Sequence, residues 1–138
     1  MNSRSKGKRG ELELAKELRK YGFEARRGQQ YCGGNGDADV IGVPGLHIEC
    51  KRVERLNVEN AMRQAEADAK AGKIPVVIHR ANREEWKVTM RLEDFMCQFC
   101  KALDKAGITQ VCATDCEWRE RKRKNERDRK SNKDNRTH

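Results

Sequence analysis

Hydrophobic positions along the chain recur with two different spacings, and these predict an alternation of helices and strands. Within residues 10–21 apolar side chains return every third or fourth position, which places them on one face of a helix. The same spacing predicts helices over residues 57–71, with Asn57 as N-cap, and over residues 92–106. The last of these carries a stripe of large apolar residues, namely Leu92, Phe95, Met96, Phe99 and Leu103.

Five shorter segments have the composition and alternation of β-strands, at residues 23–29, 37–43, 46–51, 74–79 and 86–90. The turn Pro44-Gly45 joins the second and third of them into a hairpin. The fourth, IPVVIH, is apolar on both faces, which is typical of a central strand covered on both sides. The order of helix, three strands, helix, two strands and helix predicts an α/β fold with a mixed central sheet flanked by helices.

The net charge of +9 on 138 residues is confined to the two ends of the chain. Residues 1–10 contain four basic residues and no acidic one, and residues 117–138 contain 10 basic and 5 acidic residues, so the body between them is neutral. Clustered cations on a neutral body are typical of a partner of nucleic acid, although a basic tail can also be merely solubilising. We expect one domain over residues 1–116 with a basic arm at 1–10, and a basic tail at 117–138 that does not fold alone.

The lack of a long apolar run and the six cysteines indicate where the protein resides and whether it binds a structural metal. No apolar run is long enough to cross a membrane and no secretory signal is evident, so we expect a cytoplasmic protein with reduced thiols. Four of the six cysteines follow the pattern C-x2-C-x11-C-x3-C, compatible with a structural zinc site, whereas ordinary thiols are the simpler interpretation. The four are Cys97, Cys100, Cys112 and Cys116.

The strongest chemical signal lies in the hairpin, which reads GDADVIGVPGLHIECKR. Alternate residues of a strand share a face, so Glu49 and Lys51 project together, and pairing through the turn brings Asp39 near Glu49. Two adjacent carboxylates repel each other unless a divalent cation lies between them, and oxygen ligands select Mg²⁺ or Mn²⁺. The backbone carbonyl of Cys50 is a further candidate ligand. The pattern therefore predicts metal-dependent hydrolysis of a phosphodiester, in which the lysine orients water or offsets charge.

Several neighbouring residues have open interpretations. Asp37 shares a face with Asp39 and is an alternative ligand, while His47 is interpreted as a residue flanking the site. Arg52 and Arg55 follow the motif and either hold phosphate or are solvated surface charges. The loop containing Gly33, Gly34 and Gly36 allows backbone to approach DNA but has no phosphate-binding fingerprint.

One acid stands out on the first helix. Glu11 falls within the apolar face formed by Leu14, Ala15 and Leu18. Burial of an unpartnered carboxylate is costly, so Glu11 belongs either to the frayed first turn or to a functional site.

Asp39 with the apolar Val40-Ile41, followed by Glu49-Cys50-Lys51 after an apolar strand, resembles the motif of the PD-(D/E)XK nucleases. The order of elements around it is similar to that of archaeal-type Holliday junction resolvases and related phage endonucleases. The resemblance implies a restriction-endonuclease-like core, in which Asp39, Glu49 and Glu11 bind Mg²⁺ and Lys51 assists the attacking water. It also implies a homodimer that cuts branched DNA. Gln64, on the helix after the motif, either touches the metal-bound water or DNA or is an ordinary helix-surface residue.

The function predicted from the sequence is thus a Mg²⁺-dependent DNA endonuclease, phage-encoded or bacterial, that acts on branched DNA in recombination. The residues expected to contact DNA are Lys6, Lys8, Arg9, Arg52 and Arg55. A general single-strand or flap endonuclease is an alternative within the same class. The alternative from another class is a non-catalytic nucleic-acid-binding protein with basic tails and a four-cysteine zinc element.

Overall fold

A computed structural model describes residues 3–28 and 38–108, together with Asp128 by itself. The elements follow the predicted order and are α1 (Ser3–Arg19), β1 (Arg26–Arg27), β2 (Val40–Ile41), β3 (Leu46–Arg52), α2 (Val58–Asp68), β4 (Ile74–Arg80), β5 (Lys87–Thr89) and α3 (Leu92–Lys105). The chain divides into two compact units between Met90 and Arg91, so the sheet, α1 and α2 belong to the first and α3 belongs to the second.

The sheet has five strands in the order β1-β2-β3-β4-β5. All neighbouring strands are antiparallel except β3 and β4, which run parallel from Leu46 beside Ile74 to Arg52 beside Arg80. The crossover between these parallel strands is α2, as a parallel connection requires. The sheet is therefore mixed, as predicted, and β4 is its buried fourth strand.

Each face of the sheet is covered by one helix. On the α1 face, Leu14 and Ala15 pack against a cluster that includes Val40, Ile48, Val76 and Ile78. On the α2 face, the smaller cluster consists of Ala61, Met62, Ala65 and Val77. Complete burial of a side chain such as Leu14 or Met62 stabilises the fold by about 1.5–3 kcal/mol. Successive residues of β3 and β4 alternate between these two layers, which gives every side chain of the motif a defined face.

Several boundaries differ from the predicted ones. Helix α1 begins at Ser3 and not at residue 10, because the Lys- and Arg-rich arm consists largely of good helix formers and continues the helix outward. Helix α2 starts after Asn57, whose side chain accepts a hydrogen bond from the Asn60 N–H at 3.0 Å, and it ends at Asp68. Strands β1 and β2 are only two residues long, so most of the two predicted strands is loop or lies outside the described residues.

Helix α3 buries a different side from the one its apolar stripe suggests. Asp94, Cys97 and Cys100 are its buried residues. Phe95 and Phe99 stack with ring centroids 5.9 Å apart but remain 48% and 46% exposed. Periodicity identifies which residues share a face but not which face becomes buried, and this explains the difference.

None of the helices described here is both long and apolar enough to cross a membrane.

Candidate active site

The β2–β3 hairpin brings two carboxylates together, as its sequence predicts. Val40 lies opposite Ile48, and the backbone N–H of Asp39 donates to the Ile48 carbonyl at 2.9 Å. The Asp39 carboxylate in turn accepts a hydrogen bond of 2.8 Å from the Cys50 N–H. Asp39 and Glu49 are buried, at 6% and 3% exposure, with their carboxyl groups within hydrogen-bonding reach of each other.

Burial and mutual repulsion both act against ionisation of this pair. Burial is the largest influence on Asp39, followed by the charge of Glu49, and together they raise the pKa of Asp39 to about 6. Burial also raises the pKa of Glu49, while the neighbouring Lys51 ammonium opposes that rise. The two acids therefore form a site that accepts positive charge, either as a proton or as a cation.

Lys51 and Gln64 complete the α2 face of the site. The Lys51 ammonium lies 3.2 Å from a Glu49 carboxylate oxygen and donates to the Gln64 side-chain carbonyl at 3.3 Å. Because Gln64 comes from α2 and Lys51 from β3, this hydrogen bond fixes the lysine against the crossover helix. Asp68, one turn further along α2, adds negative charge near Glu49 and was not singled out by sequence.

Glu11 reaches the same cluster from α1. Its side chain is 14% exposed and forms an ion pair with Arg27 of β1, and its pKa is raised by burial and by the charge of Asp39. Sequence analysis did not identify Arg27. The available signal was the Arg26-Arg27 pair in a predicted strand, and the register that places Arg27 opposite Val40 decides which of the two approaches the site.

Gly10 allows α1 to approach β3 closely enough for Glu11 to reach the cluster. A Cβ atom at Gly10 would lie 2.6 Å from the Cβ of Arg52, which is too close for any real contact. Because Arg52 directly follows Lys51, the close approach of the Gly10 backbone to the Arg52 side chain sets the distance between Glu11 and β3. At Gly7, three residues earlier, a Cβ would meet nothing within 4 Å.

We expect opposite effects from alanine at these two glycines. Gly7→Ala should raise the free energy of unfolding by up to about 1 kcal/mol, because alanine is the better helix former. Gly10→Ala should lower it by about 1–2 kcal/mol, since overpacking outweighs the same gain, and should slow any reaction that uses Glu11. Urea denaturation of both variants measures this, and equal shifts of the two midpoints would contradict the packing argument.

The donor atoms at the site suit a hard divalent cation. Asp39 and Glu49 offer carboxylate oxygens, and the Cys50 carbonyl points to the same side of β3 as its N–H, toward Asp39. No three His, Cys, Asp or Glu residues among those described form a group that could hold a metal by themselves. A cation here would therefore take two carboxylates, a backbone carbonyl and water, which is the oxygen set that Mg²⁺ and Mn²⁺ prefer.

Comparison with family models decides the membership of the chain. The model described as phage putative PDDEXK endonuclease matches residues 2–131. The chain belongs to this family. That result confirms the predicted resemblance to the PD-(D/E)XK nucleases.

The chain was also compared with individual solved structures and with curated proteins. Among the solved structures that match is Hjc, a Holliday junction resolvase from the archaeal hyperthermophile Archaeoglobus fulgidus. The two chains share 26% sequence identity over 59% of this chain and 74% of Hjc, with a TM-score of 0.48. None of the curated proteins matches the chain significantly.

Other residues predicted to act in this PDDEXK endonuclease have different surroundings. Arg52 lies on the α1 face, where its guanidinium donates to Glu13 at 3.3 Å and to Asn82 at 2.7 Å, away from Glu49. Arg55 is exposed. His47 is buried at 3% exposure on the face that carries Glu49.

Two predictions involve segments outside the described residues. Asp37 and the loop glycines Gly33, Gly34 and Gly36 fall there, as do Cys112 and Cys116 of the zinc pattern. Cys97 and Cys100 are buried on α3. Nothing among the residues that the structure describes, or in the family match, supports zinc.

The raised pKa of Asp39 has a measurable consequence for this endonuclease without metal. Its folded-state pKa, about 6 against an ordinary 3.8, means that the folded state binds the proton more tightly than the unfolded state. The stability contributed by this group is therefore lost as pH rises from about 4 to about 6. Asp39→Asn removes that titration, so its stability relative to wild type should increase over the same range, by up to about 3 kcal/mol. Denaturation at several pH values in EDTA measures the difference, and a pH-independent difference would refute the assignment.

Proposed function

We propose that this protein is a Mg²⁺-dependent DNA endonuclease with its active site at Asp39, Glu49 and Lys51. The observation that carries the proposal is the meeting of two buried carboxylates with an ammonium group on one hairpin, in a chain of the PDDEXK endonuclease family. The basic segments at both ends of the chain provide the general attraction for a polyanion.

In this mechanism Asp39, Glu49 and the Cys50 carbonyl would hold the cation. When bound there, Mg²⁺ would supply positive charge that attracts and polarises the scissile phosphate and lowers the pKa of water. Lys51 donates a hydrogen bond that orients the attacking water and offsets charge developing on the phosphate. The attacking water loses a proton to solvent and its oxygen bonds to phosphorus as the P–O3′ bond breaks. The 3′-oxygen takes up a proton from solvent, which leaves a 5′-phosphate and a 3′-hydroxyl.

Glu11, Arg27 and Gln64 position these groups. Gln64 holds the Lys51 ammonium near Glu49, so the lysine keeps one orientation while substrate binds. Arg27 pairs with Glu11, which offsets part of the repulsion that a third carboxylate meets beside Asp39. Glu11 would then be available as a further carboxylate ligand for the cation.

Branched DNA is the substrate we propose, cut by a homodimer in which two sites related by a twofold axis cleave two strands. This part rests on the resemblance of the motif order to junction resolvases, including the placement of Glu11 on the helix before the motif. The dimer allows paired incisions in one binding event.

A cleavage assay that compares four-way-junction, flap, single-stranded and linear duplex DNA in Mg²⁺ tests the substrate. Preferential, symmetric cleavage of the junction is expected. Equal cleavage of all four would leave a nuclease without junction specificity. No cleavage of any, with binding retained, would instead favour the non-catalytic binding module.

A further inference from the structure

The first two turns of α1 form a helix that extends beyond the core. Residues 4–9 are all exposed, and a Cβ at Gly7 would meet no atom within 4 Å. No acidic residue occurs in the first turn of the helix. Among the described residues, no ion pair or side-chain hydrogen bond involves any of the four cations on this segment, which are Arg4, Lys6, Lys8 and Arg9.

Helical geometry divides these four cations into two pairs. At about 100° per residue, Arg4 projects within about 20° of the direction of Glu11, and Lys8 within about 60°. Lys6 and Arg9 project about 140° and about 160° away from Glu11, on the opposite side of the helix. Only Arg4 and Lys8 therefore share a face with the acid that reaches the active site.

This shared face is continuous with the buried side of α1. Leu14 and Ala15, each 1% exposed, are its core-facing residues, and Glu11 lies at the edge of the core beside Asp39 and Lys51. Measured along the helix axis toward the N-terminus, at 1.5 Å per residue, Lys8 lies about 4.5 Å from Glu11 and Arg4 about 10.5 Å from it. From the core toward the N-terminus, this face of α1 is therefore apolar at Leu14 and Ala15, acidic at Glu11 and basic at Lys8 and Arg4.

The positive charges of this segment lie at the helix N-terminus, the end at which the helix dipole disfavours cations. Cations near a helix N-terminus are unfavourable because the free N–H groups already carry partial positive charge. With no acid in the first turn to compensate, the segment favours an external anion. A polyanion that contacts both side chains fits this arrangement, and a strand of nucleic acid advances about 3.4 Å per nucleotide.

We propose that Arg4 and Lys8 form a phosphate track that holds the DNA strand next to the cleavage site. The inference rests on the proposed function, since it assumes that the scissile phosphate lies at Asp39 and Glu49. Lys8 and Arg4 would contact phosphates on the side of the scissile phosphate toward which α1 extends, with Lys8 nearer to the site and Arg4 further from it. Lys6 and Arg9, although predicted as DNA contacts, contribute only general attraction because they face away.

The chain offers a matched pair of variants for the test. Arg4→Gln with Lys8→Gln removes the track, and Lys6→Gln with Arg9→Gln removes one arginine and one lysine from the other side of the same helix. Glutamine preserves helix propensity, and both double variants lose the same charge. Affinity for a fluorescein-labelled four-way junction is measured with Ca²⁺ in place of Mg²⁺ at several salt concentrations, and cleavage is measured in Mg²⁺.

The track variant should bind at least tenfold more weakly than wild type, and its slope of log affinity against log salt should fall by about 2. The opposite-face variant should lose less than threefold in affinity and keep most of the slope. Equal losses in both variants, or no loss in either, would overturn the track even if wild type cleaves DNA normally. If wild type binds but cleaves nothing, the proposed function fails, and a difference between the two variants still supports the track.

Discussion

Asp39→Asn should abolish DNA cleavage while leaving DNA binding nearly unchanged. The substitution keeps the side-chain size and an oxygen that can accept from the Cys50 N–H, but it removes one of the two carboxylates that would hold the cation. Charge stabilisation by a bound metal is worth several kcal/mol in the transition state, and each 1.36 kcal/mol is tenfold in rate. We therefore expect a loss of about 10³-fold or more under single-turnover conditions.

Two comparisons make this result specific. Glu49→Gln should produce a loss of the same size, because the two buried carboxylates act on one cation. Asp104→Asn, an equivalent change at an exposed position of α3, should cleave at the wild-type rate. Cleavage by Asp39→Asn within tenfold of wild type would show that the acid pair is structural.

Lys51→Ala should lower the single-turnover cleavage rate by about 10²–10³-fold, with the affinity for DNA reduced only slightly. The ammonium of Lys51 lies 3.2 Å from Glu49, and its charge opposes the rise in pKa of both Glu49 and Asp39. Removing it should raise both pKa values further, so the residual activity should require a higher pH than wild type needs. Rate measurements across pH with Lys51→Ala, and with Lys73→Ala as an exposed control, test this.

The low-pH side of the profile of cleavage rate against pH, here called the acidic limb, distinguishes a catalytic role of Lys51 from a purely structural one. A lysine that only stabilised the sheet would change the denaturation midpoint without moving the pH profile. Lys51→Arg retains the charge and should leave the acidic limb near its wild-type position, although the larger planar guanidinium places its donors differently relative to Gln64. An unchanged profile in Lys51→Ala would remove the lysine from the proposed mechanism.

The central features of the fold follow from local patterns in the sequence. The Pro44-Gly45 turn and the alternation around Glu49 are enough to bring Asp39 near Glu49, because a short turn keeps the strands it connects side by side. The register itself differs by one residue from that of a two-residue turn, since Val40 lies opposite Ile48. The apolar character of IPVVIH identifies a strand buried on both faces. These predictions require no knowledge of distant parts of the chain.

Features that depend on distant pairing were not predicted. The ion pair of Arg27 with Glu11 requires the register of β1 on β2, which two-residue strands leave almost unmarked in sequence. The hydrogen bond from Arg52 to Glu13 depends on how closely α1 packs on β3, and Gly10 decides this through the absence of a side chain. The buried side of α3 was not predicted either, because helical periodicity shows which residues share a face and not which face is buried.

The most direct test of the account is the metal dependence and chemistry of strand cleavage by the wild-type protein. We predict that a four-way junction is cut in Mg²⁺ or Mn²⁺ and remains intact in EDTA, and that DNA ligase reseals the products, as 5′-phosphate and 3′-hydroxyl ends require. Cleavage that persists in EDTA, or ends that ligase cannot join, would contradict a cation-dependent attack of water at Asp39 and Glu49.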